Sequence, residues 1–202
     1  MKKIFFSLIF SLGLSVAAFS QAATHLSLDY SMGFPANSEF SDFVGGASFT
    51  GFNFSVIRYI NDNWGFGGSV GWNDFYEKDV YTTVELNENV AVTGTFRKSV
   101  YITPLTGNVR YRFVNNDKFE ATGGLDLGAY FMRQQLQVSI YYVEDAPTKF
   151  GVAPNLGFMY KINPTFGIQA RGRYHIIVDG ATDFVENPSF ISAEIGLVFI
   201  DF

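Results

Sequence analysis

Any chemistry in this chain would have to start from its two histidines, His25 and His175, because it contains no cysteine. A hydroxyl nucleophile needs a base within hydrogen-bond reach and a further group that orients the base. His25 has Ser27 two residues on, whereas His175 is followed by Ile176 and Ile177, with no serine at that spacing. His25 also falls at the N-terminal end of the first apolar-alternating segment, where a rim position is expected. Two imidazoles are a poor basis for a catalytic zinc site. The acidic stretch VDGATDFVEN, with Asp179, Asp183 and Glu186, lacks the spacing of a dedicated Ca2+ loop and reads as a solvated loop. Gly65, Gly67 and Gly68 have no strand-to-helix setting that would cradle a phosphate. The expectation is a protein that is not an enzyme and holds no cofactor or metal.

The elements that position these residues follow from one pattern. In HLSLDYSMGF, Leu26, Leu28, Tyr30, Met32 and Phe34 alternate with Ser27, Asp29, Ser31 and Gly33, the period of a strand with unlike faces. The pattern returns seven times, at Phe52–Val56, Trp64–Trp72, Leu105–Phe113, Phe119–Phe131, Phe150–Tyr160, Phe166–Ile176 and Ile191–Phe199, which predicts eight strands. Short polar turns at Asn61–Asn63, Val114–Lys118 and Asn163-Pro164 alternate with long connections at Pro35–Gly46, Asp74–Lys98, Arg133–Thr148 and Asp179–Ser189. A hydrophobic share of 48% against 16% charge excludes a disordered chain, and 23 Phe, 11 Tyr and 20 Gly favour a β protein.

Met1–Ala22 has the make-up of a secretory signal: Lys2 and Lys3, the apolar run Ile4–Ala18, then small residues before Ala23. The expected division is therefore residues 1–22 as signal peptide and residues 23–202 as one β-barrel domain. Without Lys2 and Lys3, 12 basic residues face 19 acidic ones, a formal charge of −7 that argues against a nucleic-acid partner.

A soluble barrel would carry Lys, Glu and Thr on its outer face. Here the large apolar parity is nearly free of charge, while the other parity is small or polar: Gly65, Gly67, Ser69, Gly71 and Asn73 in one strand, Glu120, Thr122, Gly124, Asp126 and Gly128 in another. That combination suits lipid outside and a cramped lumen inside. The fold expected is all-β, an eight-stranded antiparallel transmembrane β-barrel with short periplasmic turns, long extracellular loops and both termini periplasmic. The inward parity carries charges of both signs, Asp29, Glu120, Asp126 and Glu194 against Arg110, Arg112, Lys161, Arg171 and Arg173. These form the expected lumen network, acting as a salt-bridged plug, with an ion or solute path as the alternative. Arg58 falls on the lipid parity near a short turn, and Pro104 and Pro154 lie within strands, where each predicts a bulge or a section above the membrane.

The stretches INDNWGFGGSVGW, ITPLTGNVRYRF, FGVAPNLGFMYKINPTFGIQARGRYH and FISAEIGLVFIDF resemble the small outer-membrane β-barrel proteins of Gram-negative bacteria, of the OmpX/OmpA-barrel type and most closely the Bacteroidota-type porin-like family. The resemblance implies an outer-membrane location in contact with lipid, and insertion by the barrel assembly machinery, which reads an aromatic C-terminal strand. Phe199 and Phe202 fit that assembly signal, although Phe202 falls on the opposite parity from Phe199. Some relatives modify lipids; the lipid A deacylase pairs a His with a Ser two residues away, which only His25 and Ser27 match. The longest connection carries β-formers on both sides of Asn87-Glu88-Asn89, and a similar run of β-formers occupies Leu136–Tyr142, so both predict hairpins that extend the barrel outward. The expected role is envelope structure or recognition of an extracellular partner through these loops, as a monomer. A narrow channel or lateral passage for small or apolar solutes comes second, and a lipid-modifying enzyme third.

Overall fold

The computed structural model describes residues 23–87, 90–138, 141–178, 185 and 187–200. The expected signal segment, Asp201 and Phe202, the acidic positions Asp179, Asp183 and Glu186, and the hairpin tip Glu88-Asn89 lie outside the described residues.

The chain forms β1 (Thr24–Pro35), α1 (Ser38–Phe43), β2 (Thr50–Tyr59), β3 (Trp64–Asn87), β4 (Val90–Asn115), β5 (Phe119–Val138), β6 (Tyr141–Asp145), β7 (Thr148–Asn163), β8 (Phe166–Val178) and β9 (Ser189–Ile200). All ladders are antiparallel. Eight strands close on themselves, β1 pairing with both β2 and β9 and β4 with β5, which removes the open edges of a sheet. The eight-stranded barrel expected from the alternation is therefore present, with β6 as an additional strand beside the outer part of β5.

Alternation decides which side chains go where. Along β8, Gly167, Gln169, Arg171, Arg173, His175 and Ile177 are buried while Ile168, Tyr174 and Val178 are exposed. The outer wall carries an aliphatic band of Leu28, Val70, Leu105, Leu127, Leu156, Ile195 and Leu197. Aromatic pairs flank it: Trp64 with Tyr111, Phe119 with Tyr160 and Phe166 with Phe199 at the short-turn end, and Trp72 with Tyr101 at the other. An apolar band between aromatic girdles is the surface a bilayer requires.

Three expectations need correction. Neither proline makes a bulge: Pro104 stays in register opposite Tyr130, and Pro154 opposite Leu125. Each interrupts pairing on its other side only, between Val70/Leu105 and Asn73/Ile102 for Pro104, and between Val152/Ile176 and Asn155/Arg173 for Pro154. One missing N–H removes one ladder bond without changing the residue count, and Gly71 leaves room beside the Pro104 ring. Within the closed barrel the register shifts lie instead at strand ends, at Arg112/Val114 and Lys161/Asn163, and two more lie in the outer β3–β4 hairpin, at Asp79/Thr82 and Glu85/Asn87. Second, the connection expected as loop from Pro35 to Gly46 contains α1, whose Phe40 is fully buried. Third, Lys161 does not enter the lumen network. The shift beside it turns its ammonium to the short-turn end, where it donates to Asn115 Oδ1 at 2.7 Å and to the Asn116 carbonyl at 3.0 Å.

Candidate functional site

Strand alternation turns the polar parity of all eight barrel strands toward one axis, and the lumen they fill has three levels. At the short-turn end, Arg112 on β4 meets Glu120 on β5, Nε to Oε2, at 3.0 Å. The Tyr59 hydroxyl donates to Glu120 Oε1 at 3.1 Å, and the Arg112 guanidinium lies 3.7 Å from the centre of the Tyr59 ring. His25 packs edge-on against Tyr59, with Nδ1 3.7 Å from Glu120 Oε1. His25 is buried just inside the rim where the sequence places it, and these four side chains make a floor.

The middle level gathers residues from seven strands. Arg173 on β8 stands between two carboxylates, Asp126 on β5 at 3.3 Å and Glu194 on β9 at 3.5 Å, and donates to Asn53 Oδ1 on β2 at 2.9 Å. Asn155 on β7 donates to Asp126 Oδ1 at 3.1 Å. Asp29 on β1 accepts from Gln169 at 2.6 Å and from Ser27 at 3.2 Å, while Gln169 accepts from Arg171 at 2.6 Å. Asp29, Arg110, Arg112, Glu120, Asp126, Arg171, Arg173 and Glu194 are all buried. A buried charge is tolerated when it is paired and hydrogen-bonded. The void left in this level, lined by Ser55, Thr122, Arg110 and Arg171 among others, is about 10 Å³, the space of a single water.

Above this, toward the long loops, the lumen turns apolar. Phe75, Val100, Ile102, Tyr130, Met132, Ile177 and Phe190 from the strands pack with Phe40 and Val44 from the α1 connection and Val185 from the last long loop. The Val185 carbonyl accepts from Gln134 at 3.3 Å and from Lys149 at 3.2 Å, which holds Val185 against the strands. His175 marks the boundary. Its Nδ1 meets the Tyr130 hydroxyl at 2.9 Å and its Nε2 meets Ser192 Oγ at 3.0 Å, with Glu194 accepting from Ser192 at 3.3 Å.

Sequence spacing could not find the His175–Ser192 contact, because Ser192 arrives from β9 through the β8–β9 register. It supplies a serine to an imidazole, but the orienting group on the other nitrogen is a neutral phenol rather than a carboxylate. Ser192 is 0% exposed and sits under the apolar layer. The other candidate, Ser27, bonds to Ser55 at 2.6 Å and to Asp29 rather than to His25.

Beyond the closed barrel, β3 and β4 continue as a hairpin, β5 pairs with the outer part of β4 from Arg133 to Val138, and β6 pairs with β5 from Gln134 to Val138. The result is a four-stranded sheet, β3-β4-β5-β6, standing off the barrel. β2 ends at Thr50 opposite Asp74, so β3 beyond that point has β4 as its only strand partner among the described residues, and β6 has only β5. On β6 the Tyr142 hydroxyl donates to Glu144, which also accepts from Gln135 at 3.0 Å and faces Arg133 at 3.5 Å. The Tyr142 hydrogen bond, followed by Gln135 and Arg133, holds the Glu144 carboxyl below the usual carboxylate range, and the same bond pushes the Tyr142 phenol up.

Charge is divided between the two parts of the chain. The segments 36–49, 74–103, 132–149 and 177–190 contain twelve acidic and five basic residues, whereas the remainder of residues 23–202 contains seven of each. The whole formal charge of −7 therefore belongs to the long-loop end.

Residues 6–199 match the family described as outer membrane protein beta-barrel domain. Among solved structures, the chain is similar to Neisserial surface protein A (17% identity, TM-score 0.59, covering 89% of this chain and 99% of that one). It is similar to Ail, the attachment invasion locus protein of Yersinia pestis, in complex with the heparin analogue sucrose octasulfate (16%, TM-score 0.56, 89% and 98%). It is also similar to the outer membrane protein OprG of Pseudomonas aeruginosa (13%, TM-score 0.50, 89% and 95%). At these identities the likeness is one of fold. No curated protein matches the sequence.

Proposed function

Because the chain belongs to the outer membrane protein beta-barrel domain family, we propose that it is a non-enzymatic, plugged barrel that presents a strand-pairing surface outside the cell. The observation that carries this reading is the stand-off sheet β3-β4-β5-β6, whose outer strands each keep one edge without a strand partner among the described residues. Unpaired edges offer backbone N–H and C=O groups that an extended polypeptide can complete, with its side chains read on alternate positions.

The charge on this end narrows the partner. Ail was solved in complex with a heparin analogue, but a surface with twelve acidic and five basic residues repels a polyanion. A neutral or cationic polypeptide segment fits better. The short turns and both termini then face the periplasm, Met1–Ala22 directs export, and insertion through the barrel assembly machinery uses Phe199 and Phe202. Assignment to the Bacteroidota type rests on the sequence stretches alone, and the monomeric state on barrel closure.

Two measurements test the reading. Deleting residues 77–98 should leave the heat-modifiable gel shift of a folded barrel intact while abolishing capture of cationic extended peptides; retained capture would sink the recognition role. The refolded protein in planar bilayers should give no steady conductance. A reproducible open state would replace the plug with a channel, and new lipid A species in expressing cells would restore the enzyme.

A further inference from the structure

Charge pairing in the lumen is uneven. Asp126 and Glu194 both lie against Arg173, and Glu120 lies against Arg112. Arg110 and Arg171, equally buried, have no carboxylate within ion-pair distance among the described residues. Nε and Nη2 of Arg110 and Nε and Nη1 of Arg171 have no hydrogen-bond partner. Nitrogens of Arg112 and Arg173 also miss hydrogen-bond geometry, but they face carboxylates at 3.0–3.5 Å and so are compensated by charge. A guanidinium does not escape this position by losing its proton.

Both arginines line the same void of about 10 Å³. The barrel makes room for them with glycine: a Cβ at Gly124 would stand 3.1 Å from Arg110 Cγ, and one at Gly157 would stand 3.4 Å from Arg171 Nε. The only carboxylate in the lining, Glu120, has its oxygens committed to Arg112 and Tyr59. The space thus holds one monatomic occupant or one water, on a lining that sets Arg110 and Arg171 beside Ser27, Ser55 and Thr122, with Ile57, Phe158, Met159 and Val198 closing the rest. A water would accept from one or two N–H groups and leave the repulsion between two guanidiniums untouched, whereas an anion answers both.

We propose that a single small inorganic anion of the halide class, chloride under ordinary conditions, is bound inside the barrel between Arg110 and Arg171 as a structural part of the plug. The ion accepts from both guanidiniums and brings opposite charge to the two arginines that have no carboxylate at ion-pair distance among the described residues. This site is independent of the surface role proposed above, since it lies below the apolar layer and does not involve the stand-off sheet.

The test is crystallisation of the refolded barrel with bromide replacing chloride, read by anomalous diffraction. A bromide peak in contact with both guanidiniums is expected; its absence, with a water or nothing in its place, overturns the site. In solution, unfolding by urea is followed at fixed ionic strength while chloride replaces a large organic anion, which separates specific binding from screening. The midpoint of the unmodified protein should rise with chloride, and that rise should be lost in Arg110→Gln. A midpoint indifferent to chloride in the unmodified protein would equally overturn the proposal.

Discussion

The ring of His175 lies flat on the ring of Phe190, centroids 4.1 Å apart and planes within 6° of parallel. The two residues are register partners across β8 and β9, and they stack where the polar lumen ends and the apolar layer begins. Phe190 turns its other contacts to Phe75 at 5.4 Å, which in turn packs on Phe40 of α1 at 4.9 Å. One stacked pair therefore joins the charged interior to the loop-derived cap.

Phe190→Ala should be among the most damaging apolar truncations, because the side chain is fully buried and the rigid barrel wall cannot collapse on the hole. The expected loss is about 3–5 kcal/mol, read from the urea-unfolding midpoint in detergent or lipid. A loss below about 1 kcal/mol would mean that the cap relaxes freely, contrary to close packing.

Arg173→Met leaves Asp126 and Glu194 buried without their shared cation. Breaking such a cluster costs about 3–5 kcal/mol. Adding Asp126→Asn and Glu194→Gln should recover most of it, because neutral amides need no counter-charge. A thermodynamic cycle with Arg173→Met on one side and the Asp126→Asn/Glu194→Gln pair on the other measures this directly; an additive result would show that the arginine is not energetically coupled to the two carboxylates.

Gly124→Val should block assembly of the barrel. A Cβ at this inward position would stand 2.6 Å from the Val109 carbonyl oxygen of the neighbouring strand, and backbone in a closed sheet cannot step aside. The variant should remain unshifted on a semi-native gel, whereas Gly172→Ala, which meets nothing within 4 Å, should fold normally.

The β5–β6 hairpin should weaken at low pH. The folded pKa of Glu144 is depressed, chiefly by the Tyr142 hydroxyl. The carboxylate's contribution is therefore complete above its unfolded value near 4.5 and is lost as pH falls through the lower folded value. Tyr142 works in the other direction: its raised pKa gives a contribution present below 10.0 and lost as pH rises beyond it. Carboxyl NMR of Glu144 should titrate below an ordinary glutamate and move up in Tyr142→Phe. An unchanged titration in that variant would remove the tyrosine as the cause.

The barrel itself was readable because strand alternation is a local property. A period of two over nine or more residues assigns each side chain a face without knowledge of its neighbours, and Asp29, Arg110, Asp126, Arg171, Arg173 and Glu194 all lie on the face so assigned. The outward hairpins were legible for the same reason. Lys161 was misplaced because the shift at Lys161/Asn163 breaks the period just where the strand meets its turn. α1 was missed because six residues carry too little periodicity to announce a helix, and Phe40 is buried only through contacts with distant strands.

Sequence alone determined the number of barrel strands, their two faces, the ends with short and long connections, and that charges of both signs face inward. Tertiary structure decided how those charges are shared: two carboxylates on Arg173, one on Arg112 and none on Arg110 or Arg171. It also decided that Ser192 meets His175, that the prolines sit in register, and that Val185 packs into the apolar layer. The reason is the same in each case. Which face a residue takes depends on its own strand, but which partner it finds across the lumen depends on the register and closure of all eight.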